Sequence, residues 1–120
     1  MKKLIISCLA LIVLSCSQNQ STHTEVAQLV VESFYKKDNT ELRRYTTPES
    51  YDSFISIQDL MTKNENGASD FSVIEDTIDG ETAWVKFTTS YEEKPETFKL
   101  IQVDGNWKVT EQGLREKSPF

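Results

Sequence analysis

Residues 71–112, FSVIEDTIDGETAWVKFTTSYEEKPETFKLIQVDGNWKVTEQ, hold four β-like runs divided by three turn signals: Asp79-Gly80, the stretch Glu93-Lys94-Pro95-Glu96, and Asp104-Gly105. Alternating apolar and polar residues around an Asp-Gly pair are a strong hairpin signal, because tight hairpin turns need positive φ and glycine adopts it without steric cost. The stretch predicts a four-stranded antiparallel meander. In its second run Ala83, Val85, Phe87 and Tyr91 alternate with Trp84, Lys86, Thr88 and Ser90, so the first set is expected to face a covering layer. The third run mixes parities, Phe98 and Leu100 against Ile101 and Val103. Either a β-bulge near Leu100-Ile101 or burial on both faces would account for that. In the last run Trp107 and Val109 share a face, and Trp107 reads as core rather than as a ligand contact.

Upstream of the meander the period becomes helical. Val26, Leu29, Val30 and Phe34 fall on one face, with Thr22 or Thr24 as cap and Lys36-Lys37 at the end that favours cations. This helix is expected from about Glu25 to Lys37. Asp38-Asn39-Thr40 breaks it and caps a short second helix from Glu41 to about Tyr45, with Leu42 and Tyr45 inward. Thr47-Pro48 opens a third, a capping hydroxyl followed by proline at the first helical position. Tyr51, Phe54, Ile55 and Met61 form its apolar face, Ile57 and Leu60 its flanks, and Asn64-Glu65-Asn66-Gly67 its end. Helices followed by a curved antiparallel meander predict an α+β domain with the helices on one face of the sheet.

The beginning of the chain belongs to something else. Lys2 and Lys3 precede an eleven-residue apolar run, Leu4 to Leu14, and then Ser15-Cys16. The run is shorter than the roughly 20 residues that span a bilayer as a helix, so it reads as a signal segment. Val13-Leu14-Ser15-Cys16 resembles a bacterial lipobox, although Leu14 stands where a smaller residue is usual. That resemblance implies cleavage before Cys16 and acylation of its thiol, palmitate-like chains holding the mature protein to the membrane. Cys8, inside the apolar run, is the poorer candidate. An ordinary secretory signal cut elsewhere, or a short uncleaved anchor, is the alternative. The expected organisation is therefore a signal peptide over 1–16, a polar tether over 17–23 and one domain over 24–120. Ser17, not Asp, follows the cysteine, a pattern that in Gram-negative lipoproteins accompanies passage to the periplasmic side of the outer membrane. With Cys16 acylated, no disulfide is available, and a domain of about 105 residues must rely on its core.

Charge narrows the partners. The chain carries 13 Lys+Arg against 19 Asp+Glu, and its net charge of −6 falls to −8 once Lys2 and Lys3 are removed. No basic stripe interrupts this balance, which argues against nucleic acid. Anionic bilayers would repel the domain as a whole, leaving the lipid as its anchor.

Two local patterns add to the order of elements. Phe34-Tyr35-Lys36-Lys37-Asp38-Asn39 is an apolar helix end followed by a short acidic turn, and Val103-Asp104-Gly105-Asn106-Trp107-Lys108-Val109 is a closing hairpin. Together with the lipobox they make residues 24–112 similar to small bacterial lipoproteins of unknown function with a nuclear transport factor 2-like, or cystatin-like, cone. The resemblance implies a conical domain with space between helices and sheet, in a superfamily divided among enzymes, binders and dimerising scaffolds. Fold alone does not choose between them.

Chemistry has few footholds. The single histidine, His23, lies in the expected tether and reads as solvated, which removes Ser-His and Cys-His nucleophilic mechanisms and most zinc sites. There is no glycine-rich phosphate loop, no nucleophile elbow and no cofactor motif. Asp76, Asp79 and Glu81 miss calcium-loop spacing and read as a solvated hairpin turn. The similarity to ketosteroid isomerase-like cones leaves one enzymatic route, a carboxylate base (Asp38, Asp76 or Glu111, with Glu75 also on a strand) beside Tyr45 or Tyr51. Otherwise Tyr45, Tyr51, Trp84 and Tyr91 line an amphipathic pocket or serve only as core and sheet-surface aromatics. The expected function is a non-enzymatic, lipid-tethered module of the envelope that binds a small amphipathic ligand or a protein. An isomerase or hydrolase, or a structural lipoprotein pairing with a second copy through its sheet, stands as the alternative.

Overall fold

The computed structural model describes residues 21–63 and 67–120. The signal segment, Cys16 and most of the tether lie outside them. Helix α1 runs His23–Lys36, two residues earlier than the periodicity suggests, because Thr22 closes a full capping box. Its hydroxyl accepts from the Glu25 amide at 3.2 Å while the Glu25 carboxylate accepts from the Thr22 amide at 2.9 Å. The helix stops at Lys37, which takes left-handed φ of 58° and donates to the Phe34 carbonyl. Asp38 then caps α2, Asn39–Arg44, by accepting from the Glu41 amide. Helix α3 is Pro48–Met61 and has no side-chain cap. The Thr47 hydroxyl, expected to cap it, turns instead to that of Thr110 at 3.4 Å.

The meander has strands β1 Ser72–Asp79, β2 Thr82–Thr88, β3 Glu96–Val103 and β4 Asn106–Thr110, each antiparallel to the next. Asp104 and Gly105 both have positive φ (52° and 81°), as the two-residue turn between β3 and β4 demands. The β2–β3 register is unbroken from Thr82↔Ile101 to Phe87↔Glu96, so no bulge lies near Leu100-Ile101. Burial on both faces explains that strand: Phe98 and Leu100 point inward, while Ile101 and Val103 are half-buried on the outer face. The bulge is in β1, between Val73 and Glu75. Tyr91 is not on β2, which ends at Thr88. It sits in the connection to β3, stacked on Tyr35 with ring centroids 3.9 Å apart, its hydroxyl donating to the Gly67 carbonyl at 3.2 Å.

Helix α1 supplies the widest contact with the sheet. Val26, Ala27, Val30, Val31 and Phe34 meet Ala83, Val85 and Phe87 of β2, Leu100 of β3 and Trp107 and Val109 of β4, with Leu42 of α2 joining them. Each fully buried Phe or Leu here stabilises the fold by about 1.5–3 kcal/mol relative to exposure. Helix α3 packs more loosely, through half-buried Tyr51, Phe54, Ile55 and Met61, with Ile57 and Leu60 at the surface. A polar residue fixes it. Buried Gln58 donates to the Phe34 carbonyl, near the end of α1, and to the Asn39 side chain, both at 2.9 Å. The outer edge of β4 is covered: the Val109 amide donates to the Tyr45 carbonyl (2.8 Å), and its carbonyl accepts from the Thr47 amide (2.9 Å).

Candidate functional site

Between α1, α3 and β3 the cone retains a slot of about 60 Å³, walled by Val30, Val31, Phe34, Tyr35, Phe54, Ile57, Met61 and Phe98, with Glu96 among its lining residues. At roughly 30 Å³ per water it holds about two. Glu96 opens β3 rather than lying in the preceding turn, and burial, together with repulsion from Glu92, pushes its carboxyl above its ordinary value of 4.5. Nothing local distinguishes it in the Glu-Lys-Pro-Glu stretch; only the pairing Phe87↔Glu96 brings it to the inner face.

Two larger depressions lie outside the slot. A groove of about 230 Å³ runs between α3 and the strands β3 and β4, crossed by a hydrogen bond from the Ser53 hydroxyl to the Glu111 carboxylate. A cleft of about 270 Å³ lies where the start of α1, the end of α2 and the β3–β4 hairpin meet. Ser21, Val26, Arg44, Tyr45, Asn106, Trp107 and Lys108 line it.

The four aromatic candidates do not converge. Tyr45 lines the cleft. Tyr51 lies beneath the Arg43 guanidinium, 4.3 Å from its ring centroid. Trp84 is on the outer face of the sheet and lines none of the three depressions; it is buried beside Lys99, whose amino group binds the Glu116 carboxylate at 2.8–2.9 Å. Tyr91 reaches the slot only through Tyr35. Trp107, expected in the core, is there and also forms part of the cleft lining.

None of the suspected bases bonds a tyrosine. Asp38 is a cap, Glu111 binds Ser53, and Glu75 is exposed. Asp76 corrects the reading of His23. This histidine is no solvated tether residue: it is the first residue of α1, its Nε2 lies 2.6 Å from Asp76 Oδ2, and its ring meets Trp107 edge-on at 5.9 Å. Its partner is 53 positions away, beyond the reach of local pattern. Among the described residues, no three His, Cys, Asp or Glu side chains gather as metal ligands.

A solved structure from Campylobacter jejuni, described as an NTF2-like transpeptidase, matches the fold. It aligns with a TM-score of 0.63 at 16% identity, covering 77% of this chain and 100% of that one. The domain thus has an α+β, NTF2-like fold, three helices on a four-stranded antiparallel sheet. No protein-family model matches the chain, and no curated protein matches it.

Proposed function

We propose that the chain is a non-enzymatic, lipid-anchored module of the bacterial envelope that binds a small amphipathic ligand or a protein segment outside the cytoplasm. The observation that carries this reading is where the space lies. The interior slot offers about 60 Å³, whereas the cleft at Trp107 offers about 270 Å³, close to the lower end of small-molecule pockets at roughly 300 Å³. A cone filled by Phe34, Phe87, Phe98 and Leu100 leaves a substrate no room to be surrounded, and catalysis needs reactants enclosed and oriented. Native mass spectrometry of the full chain, extracted in nonionic detergent from its producing cells, tests the reading. A retained small molecule or peptide supports it; a ligand-free homodimer favours the structural lipoprotein.

The anchor is a separate part of the proposal. It rests on Lys2-Lys3, the apolar run and Ser15-Cys16. Cys16→Ser is expected to release the protein from the membrane fraction, and unchanged membrane retention would remove the lipid from the account.

One observation favours a second reading. Glu96, with its raised pKa, shares the slot with Tyr35, an acid and a phenol in an apolar setting that suits proton transfer. Turnover of a retained ligand by the wild-type chain, abolished by Glu96→Gln while the ligand still binds, would put the enzyme first.

A further inference from the structure

The cleft differs from the rest of this acidic surface in its charge. The chain has 19 acidic and 13 basic residues, yet the charged residues lining the cleft are both basic, Arg44 and Lys108. Beneath them Val26 and Trp107 close the floor, 1% and 9% exposed, and the apolar surface left open is the half-buried Tyr45 ring with the exposed part of Trp107. The Trp107 ring is held on one side by His23, itself hydrogen-bonded to Asp76, so that part of the cleft is preformed. Asn106 and Tyr45 add neutral hydrogen-bonding groups. Arg44 Nη1 lies 3.2 Å from Glu41 Oε1, an ion pair without the alignment of a hydrogen bond. A guanidinium has five N–H donors, and one such contact leaves most of them for a second acceptor. Lys108 makes no ion pair among the described residues.

We propose that this cleft takes an anion carried on a small apolar body, an organic phosphate or carboxylate whose charged end meets Arg44 and Lys108 and whose body rests on the half-buried Tyr45 ring and the exposed part of Trp107. The proposal rests on the binding reading above and deepens it by naming the ligand class. A positive cleft in a molecule of net charge −6 selects by sign: the surrounding field repels anions, so only a site with local donors and local cations holds one. The apolar lining adds a second requirement, since inorganic phosphate alone leaves the Tyr45 ring and the exposed part of Trp107 uncovered.

The test uses the full chain in nonionic detergent with three probes of one shape: phenylphosphonate, benzyl alcohol and benzylamine. Amide and indole proton–nitrogen spectra report on Trp107, with Trp84 on the opposite face of the sheet as the internal control. Phenylphosphonate is expected to move Asn106, Trp107 and Lys108 and to bind more weakly as salt rises. Arg44→Gln with Lys108→Gln should weaken it by about tenfold or more, the worth of one or two charge-assisted hydrogen bonds. An unmoved Trp84 signal shows the double variant to be folded; otherwise Arg44→Gln alone, at an exposed position, carries the comparison. Benzylamine or benzyl alcohol binding the cleft as well as phenylphosphonate overturns the anion inference and leaves the binding reading standing. If no probe moves Trp107, the anion inference falls, and the native mass spectrum alone decides the binding reading. Nanodiscs separate the sources of the anion. A Trp107 shift that appears with phosphatidylglycerol but not phosphatidylcholine, and is displaced by phenylphosphonate, identifies a lipid headgroup. Phenylphosphonate binding with no such shift identifies a free metabolite-sized anion. Either result supports the proposal.

Discussion

The two edges of the sheet are built in opposite ways. β4 is five residues long, and its outer edge is occupied: Val109 exchanges backbone hydrogen bonds with Tyr45 and Thr47, while Trp107 and Val109 are buried beneath α1. β1 is eight residues long, no strand among the described residues lies along its outer side, and Val73, Ile74 and Ile78 remain exposed. What fastens β1 to the helices is a side-chain contact, His23 to Asp76. Both strands carry apolar residues, but at different spacing: Trp107 and Val109 alternate in β4, whereas Val73 and Ile74 are adjacent in β1 and Ile78 lies four positions on. Cover separates the edges further, and it is set by where α1 and the Tyr45–Thr47 segment lie. The open edge also carries Glu75, Asp76, Asp79 and a bulge at its Val73–Glu75 step, devices that discourage sheet-to-sheet pairing.

Substitution at each edge is the most direct way to break this contrast. Trp107→Ala should cost about 3–5 kcal/mol, the range for removing a large buried aromatic. Ile78→Ala, at a position 53% exposed, should stay within about 0.5 kcal/mol. Denaturant unfolding of the two variants reads the difference directly, and equal costs would mean that β1 is covered in solution. A smaller effect sharpens the same point. His23→Ala should cost about 1 kcal/mol, the worth of a hydrogen bond, and should speed amide exchange in β1 more than in β4. Uniform acceleration along both strands would show His23 acting through Trp107 instead. The smallest effect is a gain. The raised pKa of Glu96 means that the folded state holds this proton more tightly than the unfolded chain does. Its contribution is therefore intact below the ordinary value of 4.5 and is lost as pH rises through the higher folded value. Glu96→Gln should flatten that decline and leave the protein slightly more stable at neutral pH; a variant less stable at every pH would point to a lost contact rather than relieved burial.

Much of the architecture was legible because it is local. Both Asp-Gly turns, the Thr22 to Glu25 cap and the 3.6-residue stripe of α1 are written within a few positions of where they act. The inward set Ala83, Val85 and Phe87 followed from alternation alone. The misreadings share another cause. Trp84 was a pocket candidate because aromatics suit pockets, yet its parity already put it opposite the inward set, under Lys99. Tyr91 continued an alternation that ends when the strand ends at Thr88. His23 and Gln58 owe their environments to partners 53 and 24 positions away, Asp76 and Phe34, and Glu96 owes its own to the cross-strand pairing with Phe87. A side chain of mixed character takes its role from such partners, and composition does not name them. The cleft itself was half visible, through Tyr45. Its basic lining was not, since Arg44 and Lys108 are separated by most of the domain.

The capping box and the His23–Asp76 contact lie on adjacent residues at the leading end of the domain, and this has a mechanical consequence. A pull on the chain ahead of Thr22 is not delivered to a frayed helical turn that could unravel residue by residue. It is divided at once between the axis of α1, seated in the core, and a sideways link into β1. Thermal jostling of whatever precedes the domain therefore moves helix and sheet together as one body.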